Sequence, residues 1–150
     1  CGEQPVLEQV RSVLEVISAR IIYMGATGTG QGTKAVNQVM AAGINQAVTE
    51  ALAFAKAEGL PLDKVIEVVA GGAAGNWFLS HRGLSMTQGS YQPGFKLALH
   101  HKDLVICQAM AQQNSADLPL VQQTILDYQQ LMDDDFGAED ISALYRLKQK

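Results

Sequence analysis

Gly25-Ala26-Thr27-Gly28-Thr29-Gly30-Gln31-Gly32-Thr33-Lys34-Ala35-Val36-Asn37-Gln38 places four glycines in eight positions and then delivers a lysine, an asparagine and a glutamine. Before it, Ile21-Ile22-Tyr23 is β-branched and aromatic and predicts a short strand; after it, residues 34–57 hold no proline and predict one long helix, weakened only at Gly43. A glycine-rich turn between strand and helix lets another molecule approach the backbone closely. At helical spacing Lys34, Asn37, Gln38, Ala41 and Asn45 share one sector, while Val36, Met40, Ile44, Ala47, Ala51 and Phe54 fall opposite. The apolar side is expected to face the core and the polar stripe to form a site. Past Asn45, Val48 and Leu52 rotate onto the stripe, so the helix is expected there to be buried on every side.

On its residues alone the glycine run has three readings. A phosphate loop needs Gly-Lys followed by Ser or Thr, but Gln31 follows Gly30 and no such triplet comes after. Gly30-x-Gly32-x-x-Ala35 fits the loose dinucleotide fingerprint, which also requires a second strand about twenty residues on with an acid at its end. Glu50 instead lies inside the helical pattern. A plain glycine-rich turn with a solvated lysine is the third.

Composition narrows the classes further. With 150 residues, 47% hydrophobic and 17% charged, the chain suits one globular domain with a real core. A net charge of −4 and no basic cluster argue against nucleic acid, whose phosphates need a cationic face. No apolar run approaches the roughly 20 residues of a membrane span. Cys1 and Cys107 are too few for a disulfide framework, and a reducing cytoplasm is the expected location. Cys107 has apolar helical neighbours and is expected as an inert core thiol. His100 and His101 are adjacent, point to different sides of a helix and make no chelating pair, so no metal is expected.

Upstream of the glycine run, the spacing of Val6, Val10, Val13, Leu14 and Ile17 predicts a short amphipathic helix feeding the strand. A lone strand is unstable, so Ile21-Ile22-Tyr23 is expected to pair with strands outside this sequence, in a protein of roughly 300 residues. Downstream, Gly59 predicts a left-handed helix cap and Pro61 the start of the next helix. Leu62, Val65, Ile66 and Val69 share its buried stripe, and Trp77 and Phe78 are expected in the core. Residues 83–94 predict a loop and 95–114 a second long helix. Residues 120–132 predict a third with Val121, Ile125 and Leu131 inward, and 139–150 a final short one with a basic end.

Three motifs carry a family resemblance. Gly25-x-x-Gly28-x-Gly30-x-x-x-Lys34-x-x-Asn37 resembles the catalytic-lysine signature of the β-hydroxyacid dehydrogenases, the family of 3-hydroxyisobutyrate dehydrogenase and tartronate semialdehyde reductase. Gly71-Gly72-Ala73-Ala74-Gly75-Asn76 resembles its Gly-Gly-x-Ala-Gly-Ser turn. Pro93-Gly94-Phe95-Lys96-Leu97-x-Leu99-His100-x-Lys102-Asp103-Leu104 resembles its Phe-x-x-x-Leu-x-x-Lys-Asp-Leu segment.

The resemblance implies a mainly α-helical C-terminal domain of the 6-phosphogluconate dehydrogenase-like type over residues 26–150. Residues 1–25 would be the last helix and strand of a Rossmann dinucleotide-binding domain. It implies an NAD- or NADP-dependent oxidoreductase of a small 3-hydroxy acid, assembled as a dimer or tetramer. Lys34 resembles the general acid/base, buried at a helix start where desolvation and the positive dipole end favour the neutral amine. Gly28, Thr29 and Gly30 would leave room for substrate. Asn37 would hold its oxygen or carboxylate, and Gln38 stands where the family usually has a second asparagine. Phe95 would wall the nicotinamide pocket, and Lys102 would reach the cofactor from the opposite helix. A relative that serves only as a dimerisation or interaction module usually has the lysine replaced, and this chain keeps it.

Expressed alone, these 150 residues are expected to fold, to self-associate and to turn over no substrate, since the sheet that binds pyrophosphate lies elsewhere. Light scattering and assays with NAD and NADP on a panel of hydroxyacids check both halves; a monodisperse monomer or measurable turnover is the contrary result.

Overall fold

Proline and glycine punctuate the chain where its helices break. The computed structural model describes residues 1–149. In it α1 spans Gln4–Glu15, α2 Thr29–Ala57, α3 Leu62–Ala70, α4 Trp77–Thr87, α5 Leu97–Gln113 and α6 Pro119–Asp133, and a 3-10 turn at Ile141–Leu144 runs into α7, Tyr145–Lys148. Pro5 and Pro119 sit in the first turns of α1 and α6, where a missing N–H is harmless. The contacts form two compact units, Cys1–Asn37 and Gln38–Lys150, with the boundary inside α2. The helical class agrees with the sequence reading, and no described helix is long and apolar enough to cross a membrane.

In the first unit the expected strand is absent. Ile21-Ile22-Tyr23 has no regular secondary structure, because a strand exists only through a partner's N–H and C=O groups and no described segment supplies them. The glycine turn is well defined. Gly25 and Gly28 have φ of +107° and +98°, a region that side chains with a Cβ rarely enter. Thr29 Oγ1 donates to the Ala26 carbonyl at 2.8 Å, and α2 therefore starts at Thr29, a full turn before the residue the sequence suggested.

In the second unit the faces of α2 are the reverse of the expectation. Its buried residues are Gln38, Ala42, Asn45, Gln46, Val48, Thr49, Leu52 and Ala55. Met40, Ala47, Ala51 and Phe54 are exposed, Phe54 at 65%, and Val36, in the first unit, is exposed as well; the helix beyond Asn45 is not enclosed on every side. The polar stripe goes inward because polar groups on the packed helices meet it. Asn45 Nδ2 donates to the Tyr128 hydroxyl at 2.9 Å and to the Ile141 carbonyl at 2.8 Å. Gln46 Nε2 donates to Thr124 Oγ1 at 3.1 Å and Asp127 Oδ2 at 2.8 Å, and Thr49 Oγ1 donates to the Asn45 carbonyl at 2.7 Å. Around this seam Leu52, Leu97, Leu104, Val121, Leu131 and Leu144 form the apolar core.

Several local signals held. Gly59 has φ of +68°, and Leu60 N–H donates to the Ala55 carbonyl at 3.0 Å, closing α2 as a left-handed cap. Leu62, Val65, Ile66 and Val69 are the half-buried stripe of α3, and Cys107 is buried. At Gly75 a Cβ would collide with the Ala70 carbonyl, and Asn76 Oδ1 accepts the Leu79 N–H at 2.8 Å to cap α4. Others did not. Residues 83–87 are helix rather than loop, because Gly83 lets α4 approach Ile66 of α3. Phe78 is buried, but Trp77 is 63% exposed, and the last helix starts as a 3-10 turn that becomes α-helical only at Tyr145.

One acid ties the C-terminal segment to the loop before α5. Asp140, 1% exposed, accepts the Gly94 and Phe95 N–H groups on Oδ2 at 2.9 and 3.1 Å and the Ser142 N–H on Oδ1 at 3.1 Å. Arg82 Nε lies 3.4 Å from Oδ1, and its guanidinium fills the space a Cβ at Gly94 would need. Asp140→Ala leaves three donors and a cation unanswered and is expected to destabilise by about 3 kcal/mol or more. Asp140→Asn, which keeps an acceptor, should lose less; urea unfolding of both variants measures the difference.

Candidate functional site

The candidate residues fall into the two units. Gly28, Thr29, Gly30, Lys34 and Asn37 belong to Cys1–Asn37; Gln38, Phe95 and Lys102 belong to Gln38–Lys150. In the first unit the left-handed turn at Gly28 opens α2, and Lys34 and Asn37 follow on its first turns with exposed side chains. The expected burial of Lys34 is not found: the glycines around it carry no side chains to cover an ammonium group.

In the second unit Gln38, Phe95 and Lys102 are brought together by two residues of α5 that the sequence reading passed over. Asp103 Oδ2 accepts the Gln38 side-chain N–H at 2.9 Å, and Lys102 Nζ sits 3.1 Å from Asp103 Oδ1. His100 Nε2 lies 3.2 Å from the Gln38 backbone carbonyl and Nδ1 lies 3.1 Å from the Tyr128 hydroxyl. A carbonyl only accepts, so Nε2 carries the hydrogen; in a neutral ring Nδ1 then accepts from Tyr128, whose oxygen accepts from Asn45. Burial drives both groups to their neutral forms: the His100 pKa is lowered from 6.5, against the opposing pull of the Gln38 carbonyl and Asp103, and the Tyr128 pKa is raised well above its ordinary value. The Phe95 ring leans on the His100 ring at 5.3 Å.

Phe95 also lines a cavity of about 280 Å³ with Ala41, Ile44, Trp77, Arg82 and Asp140. Trp77 stacks on His81 at 4.2 Å and 12°, with the Arg82 guanidinium 5.5 Å from the indole ring. The walls are apolar and aromatic, and one cation and one buried acid interrupt them. A planar ring with a polar substituent suits such walls. Lys102, exposed on α5 and outside this lining, is paired with Asp103. Trp77 and Arg82 escaped the sequence reading, which placed Trp77 in the core; the signal available was that Arg82, a residue seldom buried, follows it at i+5 with His81 at i+4.

Comparison with known proteins identifies the family. The profile of a family described as "NAD-binding of NADP-dependent 3-hydroxyisobutyrate dehydrogenase" matches residues 28–148. The chain is similar to an uncharacterized oxidoreductase of Shewanella frigidimarina, 40% identical over 119 residues that make up 79% of this chain and 41% of that one. It is similar to 2-hydroxy-3-oxopropionate reductase of Escherichia coli, 36% identical over 118 residues, 79% of this chain and 40% of that one. The crystal structure of 3-hydroxyisobutyrate dehydrogenase from Salmonella typhimurium superposes with a TM-score of 0.89 at 26% identity, over 97% of this chain and 52% of that one. The chain thus spans about half the length of the relatives it matches, or somewhat less.

The neutral His100 sets a pH dependence. Above pH 6.5 neither folded nor unfolded chain protonates it and its contribution to stability is complete. As pH falls below 6.5 the unfolded chain takes up a proton that the folded chain refuses, so stability declines by at most about 1.4 kcal/mol per pH unit from this group. Unfolding free energies between pH 7 and pH 5 should therefore fall, and fall less steeply in His100→Gln.

Proposed function

This chain belongs to the 3-hydroxyisobutyrate dehydrogenase family of NAD- or NADP-dependent oxidoreductases, and from that we propose that it is the C-terminal helical part of an enzyme interconverting a small 3-hydroxy acid and its semialdehyde or ketone. The observation that carries the proposal is Lys34, exposed on the first turns of α2 behind a left-handed glycine turn, with Asn37 one turn further on. Residues 1–25 are then the tail of a dinucleotide-binding domain and 26–150 the substrate-binding and oligomerisation domain.

Bound NAD or NADP would accept or give the hydride. Lys34 Nζ takes the hydroxyl proton as the C–H bond breaks and returns it to the oxygen in the reverse direction. An exposed amine is reached by substrate without rearrangement. Gly28 and Gly30 carry no side chain and Thr29 turns its hydroxyl onto the Ala26 carbonyl, which leaves the approach to Lys34 open. Asn37 is the better candidate than Gln38 for the substrate oxygen or carboxylate, since the Gln38 amide is buried and already engaged by Asp103. Phe95 walls the nicotinamide, and Lys102 meets an anionic group of cofactor or substrate.

A second copy of the chain is the natural cover for Met40, Ala47, Ala51 and Phe54, an apolar strip too continuous for a surface facing only water, and supports a homo-oligomer. The buried thiol of Cys107, outside any disulfide, suits a reducing cytoplasm.

In the full-length enzyme, Lys34→Ala is expected to lower kcat by roughly 100-fold or more while cofactor affinity changes little. Steady-state kinetics and a cofactor titration measure the two; a kcat within about threefold of the parent removes Lys34 from the mechanism.

A further inference from the structure

Helix α5 grips α2 at one residue from two directions. Asp103 holds the Gln38 side chain, and His100 donates from Nε2 to the Gln38 backbone carbonyl at 3.2 Å. That carbonyl lies within α2, so His100 uses a lone pair left over from the helical ladder. The imidazole is 0% exposed, and its ring touches Phe95 on one side and Tyr128 on the other, at 5.3 and 5.6 Å. Burying an imidazole is costly unless both nitrogens are answered, and a leucine would fill the same space at no polar cost. What the ring adds is direction. Its Nδ1 is fixed by Tyr128 and its Nε2 fixes Gln38, so the height and rotation of α2 at this turn are set from the first turn of α5.

We propose that His100 is a positioning residue: one buried imidazole holds the turn of α2 at Gln38 while backing the Phe95 ring. The groups that face it are Tyr128 of α6, the Asn45 amide of α2 behind that hydroxyl, and Asp103 on its own helix. Displacing a ring that walls the cofactor by a fraction of an ångström costs turnover without touching the reacting atoms. The inference rests on the functional reading above, since it gives Phe95 something to be positioned for.

The test uses the full-length enzyme with His100→Leu, which keeps bulk and removes the donor, and His100→Gln, whose amide still reaches the Gln38 carbonyl. His100→Leu is expected to lower kcat roughly tenfold at a temperature where its melt shows it folded, and His100→Gln to recover most of that loss. A packing role alone would not produce that rescue. A His100→Leu enzyme with kcat within about twofold of the parent, or a Gln variant as slow as the Leu variant, overturns the proposal. If His100→Leu does not fold, Tyr128→Phe decides: it keeps the ring and removes the hydroxyl that orients His100, and it should lower kcat about threefold or more, whereas parental turnover overturns the proposal. Lys34→Ala run in parallel separates the two claims. Activity retained there means the functional reading fails, and an inactive Lys34→Ala beside unimpaired His100 variants means only the positioning role fails.

Discussion

The polar seam along α2 is the constraint to which the second unit conforms. Gln38, Asn45, Gln46 and Thr49 are buried on one helix face, and each needs partners or the helix cannot pack there. Thr49 bonds back to its own helix and Asn45 reaches the Ile141 carbonyl, while the other partners come from two neighbours: His100 and Asp103 on α5, Thr124, Asp127 and Tyr128 on α6. Apolar contacts tolerate sliding, whereas five side-chain bonds at fixed distances select one register of α5 and α6 against α2. Specificity of packing comes from this seam and stability from the leucines around it.

That arrangement explains why the sequence revealed the helices and misjudged their faces. Gly59, Pro61, Pro119 and Asn76 act through local backbone geometry, which a sequence displays directly, and each stands where its chemistry suggests. The side of α2 that faces the core depends on what other helices bring to it. Periodicity places Phe54 and Met40 opposite the polar stripe, but only the partner helices decide which side is in. Ile21-Ile22-Tyr23 failed in the same way, since β-propensity describes a fit to neighbours that the described residues do not include.

The candidate site was legible to the extent that it is a motif. Lys34, Asn37, Phe95 and Lys102 stand out by spacing and family resemblance, and the structure adds that Gln38 is tied to α5. The roles of His100 and Asp140 were not legible because they arise from a meeting of distant segments, and Trp77 and Arg82 offered only their spacing with His81 as a signal. Asp140 reads as one of several acids near the C-terminus until three backbone N–H groups and a guanidinium are found around it.

The Arg82, Gly94 and Asp140 contact has a bearing on how the sequence can drift. A side chain at position 94 would evict the guanidinium, and without the guanidinium the buried acid at 140 becomes a liability that clasps the C-terminal segment at a loss. No single exchange among the three is neutral, although position 94 carries no side chain and looks like the freest of them. Across descendants of this chain the three should be inherited as a block or replaced as a block, with the small residue at 94 as the condition on which the other two depend.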